Sequence, residues 1–482
     1  MIPVIDLFAG PGGLNEGFSS VTDAHSEPVF KTAASFEMES NAIATLRLRA
    51  AVRSLRREGQ LPQVYYDFLN GRISRAQLDG DSAFAAALAE ATDREVFQIE
   101  LGEATRHESD EVIQARVPAD EPWVLIGGPP CQAYSLAGRS RRRGDETFYE
   151  DKKHFLFREY LHILDKFRPT VFVMENVKGL LSSRHSGQNM FDLIHSDLSL
   201  GGDYEIRSLV VDNKTPQPSD YVIRAENYGV AQRRHRVILL GIRSDSGVRI
   251  RPLKPRSRTT VDDVLGDLPK VRSWVSPRRS DSVDCWREAR NQGREAAGLR
   301  SLHSEPPGLG AAHAPYDSVG ARTDAAGLRE WLVDPELSCL TLHEPRAHML
   351  SDLVRYEYLA VRMRRDKEHP NVQELPQALR PAHKNLSSEK APFLDRFKVQ
   401  AGDAPSSTVA SHIAKDGHYY IHPDPEQMRS LTVREAARLQ SFPDNYFFCG
   451  NRTAQYHQVG NAVPPYLARQ IGEQVAAGLR AL

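Results

Sequence analysis

The chain of 482 residues contains four cysteines, at positions 131, 285, 339 and 449, and none lies within a Cys-x-x-Cys pair. That spacing argues against a zinc site or a disulfide framework and fits a reducing compartment. No apolar run reaches the length of about 18 residues that crosses a bilayer. The opening Met1-Ile-Pro-Val-Ile-Asp6 lacks both the basic segment and the apolar stretch of a signal peptide. No membrane partner and a cytoplasmic location are therefore expected. Excess charge is absent too, since 62 Lys and Arg face 63 Asp and Glu for a net charge of −1. A nucleic-acid binder usually carries a basic excess, so any phosphate contact must come from local clusters. The first glycine-rich turn lacks the Gly-x-Gly-x-x-Gly spacing of dinucleotide folds and is no Gly-Lys-Ser/Thr phosphate loop. NAD and ATP are poor candidates on that ground.

The length leaves room for two or three domains. Residues 1–245 alternate apolar runs with amphipathic stretches, a βαβ pattern. Strands are expected at Val4–Phe8, Lys31–Glu37, Trp123–Gly127, Val171–Glu175, Glu205–Val211 and Val237–Ile242, and helices at Asn41–Arg56 and His154–Lys166. The Ala-, Glu- and Asp-rich stretch from Asn70 to Pro122 reads as helix and loop decorating the surface. From 246 to 428 the α/β rhythm fades, with helices expected at Thr323–Val333 and Asp352–Arg365. A β-hairpin is expected from Ser406 to Ile421, turning at Asp416-Gly417. Residues 429–482 read as a helix (Thr432–Gln440), a Phe-Pro-Asp turn and a terminal amphipathic helix after Gly460-Asn-Ala-Val-Pro-Pro465.

Five short motifs stand out. Val4-Ile-Asp-Leu-Phe-Ala-Gly-Pro-Gly-Gly13 runs from an apolar strand into a tight turn where backbone can approach a ligand. Gly127-Gly-Pro-Pro-Cys-Gln-Ala-Tyr-Ser135 sets Cys131 on a stiff Pro-Pro mount at the end of a strand. A held thiol there suits covalent catalysis, although a lone cysteine is more often a small buried hydrophobe. Glu175-Asn-Val177 ends the apolar run Val171-Phe-Val-Met174, so Glu175 projects beside the Cys131 loop, as an acid or as a simple cap. In Gln232-Arg-Arg-His-Arg236, strand alternation turns Arg234 and Arg236 one way and Arg233 and His235 the other, toward a site or along a charged surface ladder. The fifth is Gly460-Asn-Ala-Val463. The basic runs Arg139–Arg143 and Arg249–Arg258 are either phosphate contacts or solvated faces.

In this order, with Leu431-Thr-Val-Arg-Glu-Ala-Ala-Arg-Leu-Gln-Ser-Phe-Pro-Asp444 as a sixth, the motifs resemble those of the DNA (cytosine-5)-methyltransferases, and they span the chain from Asp6 to Val463. The resemblance implies a Rossmann-like α/β domain dependent on S-adenosylmethionine, with a smaller target recognition domain inserted. Residues 1–245 would form its first part, 246–428 the recognition domain, and 429–482 the segment completing the catalytic domain.

It also implies roles. Cys131 would add to C6 of a cytosine flipped out of duplex DNA, Glu175 would serve its N3, and Arg234 and Arg236 would face the site. For the cofactor, Phe8 would stack near the adenine, and Gly10, Gly12, Gly13 and Leu14 would approach the methionine moiety. Glu37 would accept bonds from both ribose hydroxyls. Met38 stands where relatives often carry an aromatic residue, and Asp67 would meet the adenine amino group. Pro130, Asn461 and Val463 would close the pocket. Gln132, Ser135, Arg139 and Arg141 would serve DNA contact and base flipping. No metal is expected. A bacterial restriction-modification enzyme follows from the absence of a regulatory domain before the first motif, acting as a monomer, with a cognate endonuclease working separately. The rivals are a tRNA cytosine methyltransferase of similar fold and a catalytically dead DNA-binding relative.

Overall fold

In the computed structural model, which describes residues 1–57, 62–118, 120–129, 153–185, 188–277, 280–317, 327–381 and 395–481, the apolar runs assemble into one central sheet. Its strands among the described residues are β1 (Ile2–Leu7), β2 (Phe30–Glu37), β3 (Val96–Gln98), β4 (Val124–Gly127), β5 (Val171–Val177), β6 (Tyr204–Arg207), β7 (Val222–Arg224) and β8 (His235–Arg243). The order is β3-β2-β1-β4-β5-β8-β6, with β7 paired to β8. Strands β1 to β5 run parallel, and β8 is antiparallel to β5. The order reverses between β1 and β4, the switch point at which open α/β sheets bind ligands.

Alternation along each strand decides what covers each face. Val4, Val124, Ile126, Val171 and Val173 share a core with Leu14 and Phe18 of α1 (Gly13–Ser19). Ile5, Leu7, Leu125, Phe172 and Met174 face the other way. Helix α2 (Ser40–Arg57) follows β2, and α3 (Gln63–Leu69), α4 (Arg75–Gly80) and α5 (Ser82–Arg94) precede β3. Helix α6 (Lys153–Phe167) sets Tyr160, Ile163 and Leu164 against the second face.

Two expectations need correction, and a third is described only in part. The stretch from Asn70 to Pro122 is no mere decoration, because it supplies β3 to the sheet and packs α5 on α2 through a shared apolar core. Asn70 also accepts the backbone N–H groups of Ser338 and Cys339, tying the stretch to the later chain. The expected hairpin from Ser406 to Ile421 does not form. Ser406 exchanges backbone hydrogen bonds with Ala231 and Arg233, while Ile421 pairs with Lys398 and Gln400, so the two arms are committed to different partners. Of the expected helix Thr323–Val333, Leu328–Leu332 is helical, and residues 318–326 lie outside the described residues.

Between 275 and 428 a separate core forms around α7 (Val283–Ala296) and α8 (Leu350–Asp366), with Trp286, Leu353, Tyr356 and Leu359 at its centre. Tyr316, Leu328, Leu332 and Leu340 pack instead into the core beside the sheet. The last segment carries α9 (Val433–Leu439), α10 (Arg452–Asn461) and α11 (Pro465–Leu479). Helix α11 lies on α1 so closely that a Cβ at Gly17 would stand 2.4 Å from that of Ala468. The two ends of the chain thus complete one body.

Candidate active site

At the switch point lies a cavity of about 790 Å³, lined by the ends of β1, β2, β4 and β5, the start of α1, and α10. The turn after β1 is shaped by glycine. Gly12 has φ 88° and caps α1, and a Cβ there would stand 2.8 Å from Leu46. A Cβ at Gly13 would stand 2.2 Å from the carbonyl of Val463, so the first and last motifs close on each other. Phe8, Gly10, Gly13 and Leu14 line the cavity, whereas Gly12 turns away into the packing against α2.

Glu37 ends β2 and organises the floor. One carboxylate oxygen accepts the Gly10 N–H at 2.8 Å, and the other accepts those of Met38 and Glu39 at 2.8 and 2.9 Å. A carboxylate offers about four accepting positions, so about one remains for a ligand hydroxyl, where the sequence suggested two. Met38 lines the cavity and is 57 % exposed.

Asp67 is a correction. It lies on α3, ion-paired to Arg72 at 2.9 Å, and does not line the cavity. The alternation of Val64-Tyr-Tyr-Asp-Phe68 imitates a strand, but the edge strand here is β3, some thirty residues later, and Ile99, Glu100 and Leu101 after it form that wall.

Among the lining residues that escaped the sequence reading, Asp6 is the most unusual. Asp6 is 1 % exposed, and neither carboxylate oxygen has a hydrogen-bond partner among the described residues. Burial, and then the neighbouring charge of Glu37, push its pKa well above the ordinary value, against the pull of Arg53. An acidic residue inside an otherwise apolar strand was the available signal. An orphaned buried carboxyl beside a glycine turn suits a cationic ligand, and a ribose acceptor stands one strand away. The residues present therefore fit S-adenosylmethionine, whose methionine end carries an ammonium and a sulfonium.

At the other end of the cavity, Arg236 Nε lies 2.6 Å from Glu175 Oε1, and both side chains are partly buried. Gly128 brings the chain after β4 against this pair, since a Cβ there would stand 2.5 Å from the Glu175 carbonyl oxygen and 3.0 Å from its carboxylate. Arg234 also lines the cavity but is 1 % exposed and donates to the carbonyls of Val409 and Gly460 at 2.9 and 3.1 Å. Burial first, and then Arg236, disfavour its charge, which Glu175 supports. His235 turns the other way, to Glu226 at 2.8 Å. Asn461 and Val463 line the cavity as well. Pro130, Cys131, Gln132, Ser135, Arg139 and Arg141 lie outside the described residues.

The sixth motif is scaffolding rather than lining. Thr432 and Glu435 form a capping box on α9, Glu435 takes both guanidinium ends of Arg429 at 2.6 Å, and Arg438 forks onto Asp444 at 2.6 and 2.8 Å. Gln440 donates to the carbonyls of Val459 and Ala462 at 2.8 and 2.9 Å, which positions the stretch around Asn461. Among the described residues no group of three or more His, Cys, Asp or Glu is arranged to hold a metal ion, and no helix is long and apolar enough to cross a membrane.

Comparison with known proteins agrees with this geometry. Residues 84–477 match the family described as C-5 cytosine-specific DNA methylase. The chain is 35 % identical over 98 % of both lengths to the Type II methyltransferase M.Bpa9945I of Bacillus paralicheniformis. It is 29 % identical to the Type II methyltransferase M1.HphI of Haemophilus parahaemolyticus, over 73 % of this chain and 68 % of that one. A solved structure described as a prophage-encoded DNA modification methyltransferase of E. coli covers all of both chains with a TM-score of 0.57 at 18 % identity, which supports the fold. The chain belongs to the C-5 cytosine-specific DNA methylases, of the Type II restriction-modification kind, and transfers a methyl group from S-adenosylmethionine to C5 of cytosine in DNA.

Proposed function

We propose that Cys131 is the nucleophile and that Glu175 and Arg236 hold the cytosine it attacks. The observation that carries this reading is the Glu175–Arg236 pair set against Gly128. Cys131 lies three positions after Gly128, a reach of about 10 Å at most. A thiolate adds to C6, forming the C6–S bond and moving the electrons of the 5,6 double bond toward N3, where Glu175 supplies a proton. C5 thereby becomes nucleophilic. Bound in the cavity, S-adenosylmethionine supplies the electrophilic methyl group. Loss of the C5 proton to a base then expels the thiolate as the C6–S bond breaks, and N3 returns its proton to Glu175, which restores the ring. Arg236 orients Glu175 and faces O2 of the base, while Arg234 holds the walls around Val409 and Gly460.

For the cofactor, Asp6 takes the methionine ammonium, Glu37 accepts a ribose hydroxyl, and Phe8, Met38, Ile99 and Glu100 surround the adenine. Pro130, Gly10, Gly13, Leu14, Asn461 and Val463 close the pocket. Residues 246–428 read a short duplex sequence around the core of α7 and α8. Gln132, Ser135, Arg139 and Arg141 assist base flipping. The enzyme acts as a cytoplasmic monomer, with its cognate endonuclease separate. Expression in a host without cytosine-5 methylation, followed by bisulfite sequencing of genomic DNA and tRNA, tests the substrate. One recurrent methylated DNA motif is expected. Methylated tRNA with untouched DNA would contradict it.

A further inference from the structure

The segment from Arg249 to Arg258 is exposed at Arg249, Arg251, Lys254, Arg256 and Arg258 and buried at Leu253. It leaves the end of β8 remote from the cavity and follows α11 along its whole length. A Cβ at Gly478 would stand 2.8 Å from the carbonyl oxygen of Arg249, and Arg256 lies 5.1 Å over the ring of Tyr466 near the other end of the helix. Fifteen helical residues make that strip about 22 Å long.

This is a rigid element. Leu253 and Arg256 donate backbone hydrogen bonds to the carbonyls of Leu209 and Asn227 at 2.8 and 2.9 Å, and Pro252 and Pro255 fix their own φ angles. Its charge is also uncommitted. Arg256 stands 4.0 Å from Glu473, whereas Arg249, Arg251, Lys254 and Arg258 have no ion pair among the described residues. Elsewhere in the chain arginines are commonly consumed by carboxylates, as Arg429 and Arg438 are. In a protein of net charge −1 whose substrate is a polyanion, a straight row of free cations marks where long-range attraction resides.

We infer that Arg249, Arg251, Lys254 and Arg258 form a phosphate track for the duplex DNA that flanks the target site. One strand presents a phosphate about every 3.4 Å along the axis, so 22 Å of strip faces roughly six of them. Membrane binding is disfavoured because Ile250 and Leu253 point inward, leaving no apolar residue among the cations to enter a bilayer. The inference rests on the chain being a DNA methyltransferase, and methylation of a short duplex checks that independently.

Arg236 lines the cavity, so the seven further residues of β8 to Arg243 place the Arg249 end of the strip about 23 Å from it, beyond the roughly 20 Å that a 12-base-pair duplex centred on the target reaches to either side. The Arg258 end returns along α11 toward Tyr466, three residues after the cavity-lining Val463. The test compares that duplex with a 60-base-pair duplex, both carrying the motif found by bisulfite sequencing. The variant combines Arg249→Gln and Arg251→Gln, at the end of the strip remote from the cavity. It should methylate the 12-mer at the wild-type rate. On the 60-mer its affinity at 150 mM salt should fall at least threefold, with the slope of log affinity against log salt reduced by about 1 to 2. Replacing the same two arginines by lysine instead should keep the slope of the wild type. Unchanged binding of both duplexes, or equal loss on both, would overturn the inference. Loss confined to a transfer RNA probe would overturn it in favour of an RNA surface.

Discussion

Glu175 and Arg236 meet at 2.6 Å because β5 and β8 are antiparallel in a register that opposes Glu175 to Ile238 and Val177 to Arg236. The two side chains are diagonal neighbours on one face, at the edge where Gly128 enters. The geometry gives each a separate role. Glu175→Gln keeps the shape and removes the proton carrier, so methyl transfer should slow by roughly 10² to 10⁴ with cofactor binding retained. Arg236→Ala should slow it through misorientation of Glu175 and loss of its contact to the base, and the double variant should lose clearly less than the product of the two single losses. Single-turnover rates check this. Additive losses would contradict the pairing.

Arg234 should behave differently. Arg234→Met leaves the carbonyls of Val409 and Gly460 without their donor inside the protein. Each such group costs about 1–3 kcal/mol, so denaturant unfolding should show a loss of about 2–5 kcal/mol. Arg236→Met, at a partly exposed position, should cost much less.

Glu37→Ala removes the acceptor of three backbone N–H groups and frees the turn at Gly10. Calorimetry should show binding of S-adenosylmethionine weakened by about 1–3 kcal/mol. Glu37→Gln should restore part of it. Unaltered affinity in Glu37→Ala would remove Glu37 from the cofactor site.

Glu357, on α8, is fully buried with one carboxylate oxygen unpartnered among the described residues, and burial raises its pKa from 4.5 to about 7 despite Arg290 and Arg294. A raised folded value means its favourable contribution is complete below about pH 4.5 and is lost as pH rises through 7. At about 1.4 kcal/mol per pH unit the upper limit is about 3 kcal/mol. Glu357→Gln should therefore be more stable relative to wild type at about pH 8 than at about pH 5. An equal difference at both values would contradict the assignment.

Much of this was legible in the sequence, for reasons visible in particular residues. Val171-Phe-Val-Met174 is apolar on both faces because helices cover both sides of β5, and such a run announces a buried strand. Arg234 and Arg236 were separable from Arg233 and His235 by alternation alone. What stayed hidden depends on distant partners. Strand β3 has three residues and joins the sheet only by pairing with Ser35, Phe36 and Glu37. The orphaned state of Asp6 is a property of what surrounds it, and the hairpin expected at Asp416-Gly417 lost to pairings with Ala231 and Lys398.

The central claim is the covalent bond at Cys131, and trapping tests it most directly. DNA carrying 5-fluorocytosine at the methylated position has no C5 proton to lose after methyl transfer, so the enzyme should remain attached. Incubation with S-adenosylmethionine, denaturing electrophoresis and peptide mass mapping should place the adduct on Cys131, and Cys131→Ser should abolish it. An adduct on Cys285, Cys339 or Cys449, or an active enzyme that forms none, would contradict the account.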